Sequence, residues 1–213
     1  LNLAGHSADP CALEGVAYNE SEMLPRHKEA NDRTALYKYH FQKMILQTVF
    51  EKYDEAIQSG ELALPNVGSV TAQYCRTLLL FYEALARMGQ FRKVNAGTKR
   101  QYARRIKKNI AKIKMWAEHS PENQLHKYHL LQAEWYRIKG DTSKTLDHYD
   151  MAIQLSRKAG FLQEEALANE LAAKYFMERN KTELAEMYMK NAYQCYRSWG
   201  AEAKLKQLEQ LYP

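Results

Sequence analysis

Between residues 121 and 199 the apolar and small positions fall at helical spacing, and the pattern then repeats. Ala133, Tyr136, Gly140, Thr145, Tyr149 and Ala152 follow one another at steps of 3, 4, 5, 4 and 3. Ala173, Phe176, Asn180, Ala185, Met189 and Ala192 take the same steps forty positions later. A fixed period of this length marks a supersecondary unit that buries its apolar face by stacking on the next copy. Small residues let one helix approach another closely, and aromatic rings three or four positions away fill the groove beside them. Gly140 and Asn180 fall at the turn within each unit, and both residue types accept the left-handed backbone that ends a helix. Ser120 before Pro121 predicts a helix start, with a capping hydroxyl and a first-turn residue that has no N–H to leave unpaired.

Toward the amino end the pattern weakens. A helix over Val70 to Met88 presents Tyr82 and Leu85 before Gly89, and its partner carries the face Tyr102, Ile106, Ile110, Ile113 and Ala117. About twelve residues more than in the later units separate Gly89 from that face, so Phe91 to Thr98 reads as an inserted loop. Thr34 to Tyr53 and Tyr53 to Leu62 form a further pair, with Ala56, Gly60 and Ala63 on one side of the second helix. Residues 1–32, with Asp9-Pro10 and Gly15, predict an irregular opening segment in which Glu20 to Asn31 form one helix broken at Pro25. Beyond Gly200, Leu205, Leu208 and Leu211 or Tyr212 share one face of a capping helix over 201–212, which a solenoid needs to close its end. The expected architecture is an all-α solenoid of antiparallel helix pairs at 33–64, 69–118, 121–157 and 162–199, in one domain, and it resembles tetratricopeptide (TPR) repeats.

Particular runs carry a narrower resemblance. They are Leu125-His126-Lys127-Tyr128, the stretch from Glu164 through Asn169 and Ala173 to Phe176, and Cys195 to Ala201 with Leu208-Glu209 and Tyr212-Pro213. Asn19-Glu20 to Met23-Leu24-Pro25 and Asp32-Arg33-Thr34-Ala35 extend it upstream. These runs resemble the helical repeat region of very large bacterial hybrid signalling kinases. In that family a Ser/Thr protein-kinase domain precedes a STAND-type ATPase module, the repeats, and then usually a GAF domain and a histidine kinase. The resemblance implies a regulatory stack whose partners are proteins, peptides or neighbouring domains of the same chain, with ATP binding and phosphoryl transfer done elsewhere. The missing initiator Met and the end at Tyr212-Pro213 without a polar tail agree with a segment of a longer protein.

Composition removes other classes. An apolar fraction of 46% and an aromatic fraction of 11% exclude a disordered chain. No stretch of about eighteen uncharged apolar residues and no signal-peptide tandem occur, so the expectation is a cytoplasmic chain without membrane insertion. Cys11, Cys75 and Cys195 are odd in number and widely spaced, which gives neither a disulfide framework nor a zinc knuckle. Gly-rich phosphate loops, H-R-D with D-F-G, and G-x-S-x-G are all missing, so no catalytic role and no cofactor are expected of this segment.

Charge changes the picture most. Residues 84–117 hold eleven Lys and Arg and no acid, so the whole net charge of +6 resides there. Lys99, Arg100, Arg104, Arg105, Lys107, Lys108, Lys112 and Lys114 lie mostly opposite the Ile face, a cationic stripe roughly 20 Å long. Such a stripe steers an acidic protein partner or nucleic acid, or is a solvated face answered within the molecule by Glu164, Glu165 and Glu170. Nucleic acid is the weaker reading, because aromatic residues do not interleave the cations and Tyr102 and Trp116 follow the buried face. On the first helices of the later pairs, Gln132, Glu134, Arg137, Asn169 and Lys174 are candidates to line a concave partner surface. His126 and His129, three apart on one helix, are the only spacing that invites a metal. They lack a carboxylate at ligand spacing and the H-E-x-x-H pattern, so no metal is expected, and His40 and His148 stand isolated in sequence.

Overall fold

The computed structural model describes residues 2–15, 18–70 and 73–212. Among them ten α-helices follow in order: α1 Glu20–Glu29, α2 Arg33–Val49, α3 Tyr53–Ala63, α4 Gln73–Gln90, α5 Ala96–His119, α6 Pro121–Lys139, α7 Thr142–Ala159, α8 Leu162–Met177, α9 Thr182–Trp199 and α10 Glu202–Leu211. A 3-10 segment spans Leu64–Ser69, and a two-residue hairpin pairs β1 Glu14–Gly15 antiparallel with β2 Tyr18–Asn19. The fold is all-α and TPR-like. Two units pack internally, Leu1–Ile106 and Lys107–Pro213, with the division inside α5.

In the second unit the forty-residue period becomes two helix pairs, α6 with α7 and α8 with α9. Gly140 takes φ +78° and Asn180 φ 56°, so both turns pass through the left-handed region where a larger side chain is strained. Asp141 then caps α7, its carboxylate accepting the Lys144 backbone N–H at 3.2 Å. The repeated small positions Ala133, Ala152, Ala173, Ala185 and Ala192 are all buried, as are Tyr149, Tyr175 and Tyr196. Each large apolar side chain so buried contributes about 1.5–3 kcal/mol. Alanines at 166, 168, 172 and 173 let neighbouring helices approach α8 from several sides, and every residue from 164 to 173 is buried.

Two details of this unit differ from the sequence reading. Ser120 precedes Pro121 as expected, but its hydroxyl accepts from the Asn123 side-chain amide at 2.9 Å and caps no backbone N–H. On α10, Leu205 and Leu208 are buried while Leu211 is 53% exposed. The third place on that face belongs to Lys204, four residues before Leu208 and fully buried.

In the first unit α2 pairs with α3, and the small face Ala56, Gly60 and Ala63 is buried; a Cβ on Gly60 would lie 3.1 Å from the Met44 sulfur. The chain reverses at Glu51, at φ 63°, so α2 stops at Val49 and does not reach Tyr53. The helix read from Val70 covers residues 71 and 72, which lie outside the described residues; its described part, α4, runs on through Gly89 to Gln90. Gly89 is therefore no terminator. A Cβ there would meet the Tyr53 ring at 2.5 Å, so glycine serves close packing. The inserted loop shrinks to 91–95, because α5 begins at Ala96 and absorbs the remainder as helix. Pro25 does not break α1. No residue of α1 is buried; Asn19 caps it and Glu20 ties it to Lys43 of α2 at 3.0 Å.

Candidate functional site

Tyr102, Ile106, Ile110, Ile113 and Ala117 form the buried face of α5, as their spacing requires. Trp116 is half-buried at its edge. In the first unit Arg100 and Arg104 are exposed and Lys99 half-buried. Arg105 turns inward, its Nε donating at 2.8 Å to Glu83, which is buried. Arg87 donates to the same carboxylate at 3.2 Å and to Glu61 at 3.0 Å, with its guanidinium 4.9 Å from the Tyr102 ring centre.

In the second unit Lys107, Lys108, Lys112 and Lys114 are exposed. The Lys107 ammonium lies 5.9 Å from the Trp135 ring and that of Lys112 5.4 Å from Trp116. Contacts of this kind contribute about 0.5–1 kcal/mol at exposed sites and leave the charge in place. Among the described residues no carboxylate pairs with Lys99, Arg100, Arg104, Lys107 or Lys108.

The acids expected to answer the stripe are engaged elsewhere. Glu164 pairs with Lys127 of α6 at 3.2 Å, Glu165 accepts from Arg157 of α7 at 2.8 Å, and Glu170 accepts from Lys204 of α10 at 2.8 Å and from Lys174 at 2.5 Å. The Tyr196 hydroxyl donates to Glu170 at 2.7 Å. Burial works to raise the Glu170 pKa, but Lys174 and Lys204 outweigh it and hold it at about 2. At Glu164 burial prevails over Lys127 and the pKa rises, while burial lowers that of Lys127 against the pull of Glu164.

The candidates for a concave surface belong to this interior. Asn169 is fully buried, its Nδ2 donating to the Glu165 carbonyl at 2.8 Å, which withdraws it from partner contact. Arg137 is 12% exposed and bridges Glu134 at 3.1 Å and Glu178 at 2.6 Å. Glu134 also accepts from the buried Tyr149 hydroxyl. Gln132 is half-buried and donates to the Tyr128 hydroxyl at 2.9 Å. For Asn169 the cause is that α8 packs against α6, α7 and α9, so its own surface is enclosed.

The histidines regroup. His126 is buried with its Nε2 2.8 Å from the Lys127 ammonium, and burial first, then that neighbour, lowers its pKa to about 3. His129 turns away to His148 of α7, their Nδ1 atoms 2.8 Å apart. His148 is thus not isolated, and the signal for it was the turn at Gly140, which brings positions two to three helical turns on either side level with one another. Lys127 and Lys204, which the sequence reading also missed, carried a weaker signal: each stands four residues before a buried Leu, at 131 and 208. Among the described residues no group of three or more His, Cys, Asp or Glu is placed to hold a metal ion, and no helix is long and apolar enough to cross a membrane.

No solved structure matches the chain. A hybrid signal transduction histidine kinase G from Dictyostelium discoideum is 36% identical over 104 residues, which make up 49% of this chain and 3% of that protein. The CHK1-like TPR repeats match residues 17–212, nearly the whole sequence. With that span and the helix pairs above, the chain belongs to the CHK1-like TPR repeat family.

Proposed function

We propose that this chain is a non-catalytic, regulatory repeat module of a multidomain signalling kinase, and that it binds a protein segment or a neighbouring domain of the same polypeptide. The observation that carries the reading is the charge of α5: apart from Arg105, which pairs with Glu83, its cations Lys99, Arg100, Arg104, Lys107 and Lys108 have no acidic partner among the described residues, while the acids of α8 are committed to internal pairs. The half-buried Lys99 and the exposed Arg100 and Arg104 in the first unit, and the exposed Lys107 and Lys108 in the second, are the contacts we assign to an acidic partner. The likeness to a hybrid signal transduction histidine kinase supports a parent with histidine kinase chemistry in other domains. A Ser/Thr kinase domain, ATP binding and a place in the cytoplasm are part of the proposal through the resemblance of the sequence alone. Bond-breaking has no place in the segment; the work is recognition.

Photocrosslinking in the full kinase tests this. A photoreactive residue at 104 or 108 is expected to trap a polypeptide, within the kinase or from another protein. Duplex DNA bound at low salt and released steeply as salt rises, with no polypeptide trapped, would replace this reading with a nucleic-acid one.

A further inference from the structure

The aromatic slot between the two helices of each pair is built twice in the second unit. In α6/α7 the ring of Tyr136 stacks on His148, with centres 5.5 Å apart and planes 7° from parallel. Forty residues later Phe176 stacks on Tyr188 at 5.3 Å and 12°. The stack is therefore architecture, and an imidazole is not needed to make it. At the position of His129 the later pair carries Asn169. The first pair thus replaces both residues with histidines, and it directs their Nδ1 atoms at one another 2.8 Å apart, one ring's N–H donating to the bare nitrogen of the other.

We propose that His129 and His148 form a two-imidazole site for a late first-row divalent cation of the zinc and copper class, bridging α6 and α7. Neutral imidazole is a ligand of choice for these ions, and a tetrahedral ion binds nitrogen at about 2.0–2.1 Å. That sets the two nitrogens about 3.3 Å apart, so the pair parts by only about 0.5 Å when the ion replaces the shared proton, within reach of small side-chain rotations. Tyr136 holds the His148 ring on one side, and the Tyr128 ring meets His129 edge-on at 5.3 Å. Both histidines are half-buried, which leaves room for water to complete the coordination. Only two protein ligands take part, so the site is expected to be exchangeable, and what it adds is a bond between the two helices of one repeat.

The test is calorimetric titration of the whole chain, stripped with chelator, with zinc chloride and then copper chloride. One ion per chain is expected, with copper tighter than zinc in the usual order of divalent affinities, and magnesium chloride giving no heat of binding. His148→Tyr and His129→Asn install the residues of the later repeat, so both variants are expected to fold with unchanged circular dichroism. Each should weaken zinc and copper binding by at least about tenfold, as loss of one of two protein ligands demands. His40→Ala should change nothing. Affinities unchanged in both variants, or no saturable binding of either ion by the native chain, would overturn the proposal.

Discussion

Helices α5 and α8 both carry much charge and treat it in opposite ways. On α5 the apolar face is one stripe and the cations stand outside it, at Arg100, Arg104, Lys107, Lys108, Lys112 and Lys114. On α8 three carboxylates lie in the core, and each is neutralised from a different helix: Glu164 by α6, Glu165 by α7, and Glu170 by α10. A buried pair contributes little net stability, because desolvation costs about as much as attraction returns, but it penalises every arrangement that leaves one charge alone. The interior charges of α8 thus specify which helices surround it. The exterior charges of α5 specify nothing about the fold and remain free for a partner.

The largest expected effect follows from that contrast. Glu170→Gln leaves Lys204, fully buried, without its counter-charge, and removal of one member of a buried pair costs about 3–5 kcal/mol. Urea unfolding followed by circular dichroism reads it, and a loss below about 1 kcal/mol would show that the inside and outside charges do not differ. Acid gives the same information without mutation. The Glu170 pKa is about 2 in the fold against 4.5 ordinarily, so its contribution is whole above pH 4.5 and is lost as pH falls toward 2. On the order of 3 kcal/mol should disappear across that window, and Glu170→Gln should flatten it.

Glu164 sharpens the comparison within α8 itself. Its pKa is raised because burial prevails over Lys127, whose own pKa burial lowers, so this pair holds its charges less firmly than the Glu170 cluster. Glu164→Gln keeps an oxygen to accept from the Lys127 ammonium, now 3.2 Å from the carboxylate. The expected cost is about 1.5–3 kcal/mol, the range for one hydrogen bond to a charged group, and less than for Glu170→Gln. A loss equal to that of Glu170→Gln in the same urea series would make the two pairs equivalent.

How much of this was legible in the sequence depends on whether the signal was periodic. The steps from Ala133 to Ala152 and from Ala173 to Ala192 fixed the second unit's helix pairs and their turns, because burial repeats every 3.6 residues and the left-handed turn demands Gly or Asn. The Ile face of α5 was legible for the same reason. Gly89 misled, since a glycine ending a helix and one admitting the Tyr53 ring look alike until the neighbour is known. Asn169 misled as a polar residue and Lys204 passed unnoticed, because their burial depends on enclosure by three helices or on a partner 34 positions away in the chain. The meeting of His129 with His148 lay between these cases: the turn at Gly140 was readable, but not which residues it set level.

The smallest expected effect on stability belongs to α5, and it is the one that tests the reading of function. Arg104 and Lys108 are exposed, and no described carboxylate pairs with either. Arg104→Glu with Lys108→Glu reverses two charges of a run that contains no acid between residues 84 and 117. Surface changes away from caps, cores and pairs stay within about 0.5 kcal/mol, so the urea midpoint should barely move, and it should move less than for either glutamate on α8. If the midpoint falls by as much as Glu164→Gln lowers it, α5 is held by its charges and the division between interior and exterior charge fails. If it does not fall, the same protein isolates the recognition step: crosslinking yield from a photoreactive residue placed at the exposed Gln101 is lost only when the partner is acidic, and a partner of other chemistry keeps it. Salt separates these cases further, because attraction between exposed charges weakens once the screening length falls to about 3 Å near 1 M salt, whereas the buried pairs of α8 are screened far less.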